Sequence, residues 1–273
     1  MAEYKEFNFV IDQPDATRDI FIALLSQAGF EGFVETPEGF LAYTNKDLPP
    51  EQILESLNLD FHYSTKIVPE QNWNQTWEQQ IKPLIINDKI YIKTSFHPQK
   101  KYPYVITIDP KMSFGTGHHE TTYLMINIML TMDFNNKSVI DMGAGTGVLA
   151  ILAKMLGANA LYAIDYDKWA YENMLENFDK NQTRNIKAIH GDAGSLKNLP
   201  EVDIFLANIN RNILLNDLPA YVKNIKTGGH LVLSGFYWQD VPLLKAAANQ
   251  NGMMFESQMT KNNWTALKFK KIN

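Results

Sequence analysis

The stretch Val139-Ile140-Asp141-Met142-Gly143-Ala144-Gly145-Thr146-Gly147-Val148-Leu149 constrains the fold more than any other part of the chain. An apolar run ends in an acid, passes through three glycines separated by single residues, and enters an amphipathic stretch over 148–156. That order reads as strand, tight turn, helix. Glycines at alternate positions let the backbone turn sharply and approach a ligand, and a helix start presents N–H groups that have no intrahelical partner. Residues 160–165 then read as a second strand ending in Asp165, 22 residues after Gly143. This is the spacing at which a carboxylate meets ribose hydroxyls. Taken alone it also suits a dinucleotide site, but that pattern wants glycine three places after its second one, where Val148 stands; the third glycine is Gly147.

The chain beyond continues the alternation. Residues 186–190 read as a third strand followed by Gly191-Asp192-Ala193, and 202–207 as an apolar fourth strand running into Asn208-Ile209-Asn210. A fifth, 230–234, is entered through Gly228-Gly229, and helices are expected over 168–180, 213–225 and 241–249. Alternating β and α predicts a parallel sheet with crossovers. Residues 254–259 and 264–270, joined by a polar turn at Lys261-Asn262-Asn263, add an antiparallel pair.

Ahead of the glycine stretch lies Met112-Ser113-Phe114-Gly115-Thr116-Gly117-His118-His119-Glu120-Thr121-Thr122, leading into a helix with Leu124, Met125, Ile128 and Met129 on its apolar side. Glycines, hydroxyls and imidazoles before a helix make a ligand loop, or a set of helix caps. A metal site is not expected: adjacent histidines point apart, and neither H-E-x-x-H spacing nor a third ligand cluster is present.

Residues 1–68 read as a separate small domain with the order βαββαβ: strands over 4–11, 30–36, 40–44 and 61–68, helices over 15–28 and 50–57. That is a ferredoxin-like α+β arrangement. Four basic against twelve acidic side chains give it a net charge of −8, while the whole chain carries only −5. So acidic a surface repels nucleic acid and attracts basic partners, unless it serves solubility alone. Residues 69–82, with Trp73 and Trp77 one helical turn apart, read as a linker helix, although both indoles also suit a domain core. Leu84 to Lys93 predicts a hairpin about Asn87-Asp88, with a further strand over 104–108, and 83–273 is expected to form the second domain. The absence of cysteine excludes disulfides and thiol chemistry and fits the cytoplasm. No apolar run is long enough to span a bilayer, no export signal opens the chain, and no long apolar stripe calls for oligomerisation, so a monomer is expected.

Asp141, the displaced third glycine, Asp165 and the later strands together resemble the class I S-adenosylmethionine-dependent methyltransferases, which implies a seven-stranded Rossmann-like domain. More narrowly, Phe114 to Thr122, the Gly143 loop, Asp165 and Ala207-Asn208-Ile209 resemble the PrmA family, methyltransferases of the eleventh large-subunit ribosomal protein. The resemblance implies S-adenosylmethionine as cofactor, contacted by Thr122, Gly143, Asp165 and Asn208, with Gly145 and Gly147 shaping the turn, Asp192 near adenine and Phe114 covering the methionine end. It also implies a basic ribosomal protein as partner, methylated on lysine side chains and on its N-terminal amine. Asn210-Arg211 stands where that family is more apolar.

Methyl transfer from a sulfonium is an in-line displacement, so the protein must align atoms rather than supply a nucleophile. Bringing a lysine from a pKa near 10.4 to neutrality at pH 7 costs roughly 4 to 5 kcal/mol, and a nearby sulfonium and a desolvating cleft both favour the neutral amine. Asn208 is the expected catalytic residue, its carbonyl accepting a hydrogen bond from the amine, unless it only forms a turn. Ile209 stands where amide- and base-methylating enzymes carry Pro-Pro and an aromatic. Another basic protein or a small amine as acceptor, or a non-catalytic ribosome-assembly module, are the alternatives.

Overall fold

The computed structural model describes residues 4–10, 25, 30–36, 39–45, 62–68, 82–109, 119–183 and 185–272. The chain divides into two compact units, Met1–Gln80 and Ile81–Asn273. In the first, β1 (Tyr4–Val10), β2 (Glu31–Thr36), β3 (Gly39–Asn45) and β4 (His62–Val68) form an antiparallel sheet ordered β2-β3-β1-β4. The two-residue period of β1 and β3 places Phe7, Phe9, Phe40 and Ala42 on one face, where they pack with Phe30 and Leu25. Leu25 is helical and buried; the rest of the helices expected over 15–28 and 50–57, and nearly all of the linker with Trp73 and Trp77, lie outside the described residues.

The second unit opens with β5 (Leu84–Ile86), β6 (Ile90–Lys93) and β7 (Tyr104–Thr107). The β5–β6 hairpin turns through Asn87 and Asp88, both at φ 52°, the left-handed pair that short hairpin loops prefer. Next come α1 (Glu120–Met129), β8 (Ser138–Met142), α2 (Val148–Met155), β9 (Ala160–Asp165), α3 (Lys168–Lys180) and β10 (Lys187–His190). After a 3-10 turn, β11 (Val202–Asn208), α4 (Arg211–Lys223), β12 (Ile225–Tyr237), α5 (Val241–Gln250), β13 (Met253–Lys261) and β14 (Trp264–Lys271) complete the unit. The seven strands β8–β14 are ordered β10-β9-β8-β11-β12-β14-β13, parallel up to β12 and antiparallel in the last two pairings.

This is the Rossmann-like arrangement expected, with one apolar cluster on each face of the sheet. Helices α1 and α2 contribute to one cluster, which includes Leu124, Ile128, Leu149 and Leu152; α4 and α5 contribute to the other, which includes Leu214, Leu218 and Leu244. Two of the differences in boundary bear on the site. Helix α4 starts at Arg211, two residues early, because the Asn210 side chain accepts the Ile213 N–H and so caps it. Strand β12 runs over 13 residues, with Gly228 and Gly229 inside it rather than before it. No helix among the described residues is long and apolar enough to cross a membrane.

Candidate functional site

Strand order reverses between β8 and β11, and the crevice beyond the carboxyl ends of parallel strands at such a switch is where α/β sheets bind ligands. A cavity of about 690 Å³ occupies it, lined by Gly143, Gly145, Asp165, Asp192 and Asn208 among others. The structure thus gathers five of the predicted residues from four loops. Thr122 and Gly147 are not part of the lining, and Phe114 lies outside the described residues.

The glycine loop is pinned by its neighbours. Gly143 and Ala144 donate to the Ile164 carbonyl at 2.9 and 3.0 Å, and Gly145 N–H donates to Asp165 Oδ2 at 2.8 Å. The other Asp165 oxygen accepts from Asp167 N–H at 2.9 Å, so this carboxylate ties two loops together while it borders the cavity. From behind, Asn177 of α3 donates to the Thr146 carbonyl at 3.0 Å and accepts from Asp109 N–H at 3.1 Å. Gly147, at φ +79°, is the residue before α2; a Cβ there would lie 2.6 Å from the Phe178 ring. Its glycine is required by the close approach of α3 as well as by the backbone turn. A Cβ on Gly143 would lie 2.6 Å from Ile209 Cγ1, so the loops after β8 and β11 also meet closely.

Two side chains here keep a buried oxygen without a hydrogen-bond partner among the described residues: Asn208 Oδ1 and Asp141 Oδ1. Asn208 Nδ2 donates weakly, at 3.4 Å, to Oγ1 of the buried Thr122, which leaves the carbonyl as the unused half of the amide. Asp141 is 1% exposed and its Oδ2 accepts from Ala150 N–H at 3.1 Å. Burial pushes its carboxyl up to about 7, the Asp165 charge adds to this, and the Ala150 N–H opposes it. Buried polar atoms are nearly always paired, so the unpaired carbonyl of Asn208, which lines the cavity, marks where a ligand's donor goes; Asp141 is not part of the lining. An amine and ribose hydroxyls have the matching chemistry, and close-packed glycines give a flat ligand access to the backbone.

Asp192 reaches the rim, its Oδ1 accepting Gly194 N–H at 2.8 Å. The opposite wall is the polar face of α4: Asn212, Asn216 and Asp217, with Ile213. Sequence reasoning missed this wall. Asn212 and Asn216 are one helical turn apart, which was the available signal, but periodicity alone does not say which polar face looks back at a ligand. Asp217 accepts from the Tyr221 hydroxyl at 3.4 Å, and burial together with that charge raises the Tyr221 phenol. Asn210 and Arg211 have structural work: one caps α4, and the other pairs with Asp240 at 2.8 Å. His119, of the histidine pair, caps α1 by accepting Thr121 N–H at 3.3 Å.

Comparison with known proteins brings these features together. The family described as ribosomal protein L11 methyltransferase (PrmA) matches residues 37–272. A ribosomal protein L11 methyltransferase of Phocaeicola vulgatus is 42% identical, covering 98% of this chain and 99% of that protein. One from Porphyromonas gingivalis is also 42% identical, covering 92% and 90%. The crystal structure of a ribosomal protein L11 methylase from Lactobacillus delbrueckii subsp. bulgaricus superposes with a TM-score of 0.64 at 24% identity, covering 71% of this chain and all of that one, a likeness of fold.

Proposed function

The chain belongs to the ribosomal protein L11 methyltransferase (PrmA) family, and from that premise we propose that it transfers methyl groups from S-adenosylmethionine to lysine side-chain amines and the N-terminal amine of ribosomal protein L11. The observation that carries this reading is the cavity at the switch point, where the glycine loop, Asp165 and an unpaired Asn208 carbonyl face one space. The cofactor, when bound, supplies an electrophilic methyl group on a sulfonium. Gly143 and Gly145 would offer it backbone, Asp165 would take the ribose hydroxyls and Asp192 would serve the adenine. Gly147 would shape the loop, and the family resemblance would give Phe114 the methionine part.

Asn208 Oδ1 accepts a hydrogen bond from the neutral acceptor amine and turns its lone pair toward the methyl group. Thr122 fixes the amide from below. No carboxylate base is needed, since the excess proton leaves the amine for solvent before transfer. The domain division proposed is a recognition domain over 1–68, a linker helix over 69–82 and the catalytic domain over 83–273. The −8 charge of the first supports a basic protein as its partner. With its substrate in the cytoplasm, the protein acts there as a monomer without binding nucleic acid.

Incubation with S-adenosylmethionine and purified ribosomal protein L11, followed by intact mass measurement, is expected to show gains in methyl units. No gain sinks the proposal; gain on another basic protein or a small amine but not on L11 replaces its substrate.

A further inference from the structure

Helix α3 carries Asn173 and Asn177, and Asn181 caps its end; intervals of four stack side chains on one helix face. Asn173 and Asn177 are fully buried. All three bond to the backbone of β7 or of Asp109 just beyond it. Asn173 Nδ2 donates to the Asp109 carbonyl at 2.8 Å, and Asn177 Oδ1 accepts Asp109 N–H at 3.1 Å. Asn181 accepts Thr107 N–H at 2.8 Å and donates to the Thr107 carbonyl at 2.7 Å. Asp109 is in turn fixed by Ser95 N–H at 2.7 Å and by Lys180 Nζ at 2.6 Å. Of the three asparagines, Asn177 also reaches the glycine loop, its Nδ2 donating to the Thr146 carbonyl at 3.0 Å.

That contact matters because of what flanks Thr146. Gly145 and Gly147 adopt φ +54° and +79°, and a residue between two glycines can turn its peptide over at little steric cost. The peptide between Thr146 and Gly147 is the last before α2, and it is held at both ends: its carbonyl by Asn177, its N–H by the Ala144 carbonyl at 2.8 Å. The ties from Gly143, Ala144 and Gly145 to β9 all run through N–H groups, so none of them fixes the Thr146 carbonyl. The Asn177 amide cannot reverse either. Its oxygen is taken by Asp109 N–H, which turns the NH2 group toward Thr146.

We propose that Asn177 is a positioning residue for the cofactor: anchored on Asp109, it holds the peptide between Thr146 and Gly147 in the binding conformation before S-adenosylmethionine arrives. The inference rests on reading the switch-point cavity as the S-adenosylmethionine site. A loop that samples several conformers binds with its intrinsic affinity reduced by the fraction in the competent one. Asn177 keeps that fraction high without itself lining the cavity.

The test uses the full chain and S-adenosylhomocysteine, the form of the cofactor left after transfer, titrated by calorimetry. Asn177→Ala and Asn177→Leu, both to good helix formers, are expected to weaken its binding on the order of tenfold, the scale of one buried hydrogen bond. Asn181→Ala gives up two hydrogen bonds to Thr107 but none to the glycine loop. It is expected to lower the melting temperature and to leave the dissociation constant within about twofold. In methyl transfer to ribosomal protein L11, the Asn177 variants should raise KM for S-adenosylmethionine by the same factor and keep kcat within about twofold, because bound cofactor restores the loop. An unchanged dissociation constant in either Asn177 variant that folds overturns the proposal. So does an equal loss in Asn181→Ala, which would mark a general loosening of α3. Failure of the unaltered protein to bind S-adenosylhomocysteine instead overturns the cofactor-site reading, and the proposal with it.

Discussion

The two ends of strand β11 treat their polar side chains in opposite ways. Asp203, near its start, has Oδ2 accepting from Ser138 N–H at 2.8 Å, from Ser138 Oγ at 2.6 Å and from Lys226 Nζ at 3.0 Å. Partial burial acts to raise its carboxyl, but the Ser138 and Lys226 hydrogen bonds win and hold it at about 2. Asn208, at the other end of the same strand, has its carbonyl oxygen unpaired, and Asp141 on the neighbouring strand has an unpaired oxygen and a carboxyl at about 7. Close-packed glycines do not separate the ends: a Cβ at Gly229, at the amino end, would lie 2.8 Å from Ile225, much as Gly143 and Gly147 are closely overlaid by Ile209 and Phe178. Cavity size separates the ends poorly, since the amino end also has a hollow of about 450 Å³. What separates Asp203 from Asn208 is satisfaction: the carboxylate bound by Ser138 and Lys226 holds the fold, and the open carbonyl serves a ligand; His230 Nδ1 at the amino end also lacks a hydrogen-bond partner among the described residues, but it lies 3.2 Å from Glu256 Oε2.

The sharpest break of this contrast is Asn208→Ala. On the proposed mechanism it lowers kcat by a hundredfold or more, roughly the loss seen when one positioned polar group is taken from an active site. The cofactor dissociation constant should change far less, and thermal stability should hold or rise slightly, because the side chain removed carries an unpaired buried acceptor. Methyl transfer at an undiminished rate, measured on ribosomal protein L11, would return Asn208 to a turn-forming role and support a binding module.

Asp141→Asn tests the same end through stability. The folded carboxyl at about 7 lies above its unfolded value near 3.9, so between these limits the folded chain holds the extra proton. Stability therefore falls as pH rises from about 4 to 7 and stays reduced above that. The full effect is at most about 4 kcal/mol, at about 1.4 kcal/mol per unit. The asparagine, which still accepts from Ala150 N–H, should gain on the unaltered protein as pH rises. Denaturant midpoints at pH 5 and pH 8.5 measure this; an equal difference at both would show that Asp141 does not titrate in that range.

Much of the site was legible because its signals are local. The alternate glycines, Asp165 at a fixed distance and Asn208 closing an apolar strand are each read from a few consecutive residues, and all three reach one cavity. Long-range packing was not legible. That Phe178 overlies Gly147, that Asn177 holds Thr146, and that Asn212 and Asn216 form a wall all depend on how α3 and α4 rotate onto the sheet. Polar helix faces read the same whether they meet solvent or a ligand. The Asn210-Arg211 pair was informative in another way: a departure from family pattern proved to be a cap and an ion pair.

The smallest expected effect, Asp203→Asn, sharpens the contrast from the other end. The depressed carboxyl contributes stability that is present above its unfolded value near 3.9 and is lost as pH falls through about 2. Asparagine keeps an acceptor for Ser138 but loses the charge facing Lys226. With side chains 27% and 46% exposed, that pair is partly screened, and the loss at pH 7 should be about 1 kcal/mol. The difference should shrink as pH falls from about 4 and vanish below about 2, where the unaltered carboxyl is also neutral. Cofactor affinity and methyl-transfer rate should not move, because the substitution lies a full strand away from Asn208. If affinity falls together with stability, the two ends of the sheet are coupled, and the division between a satisfied end that holds the fold and an open end that works fails.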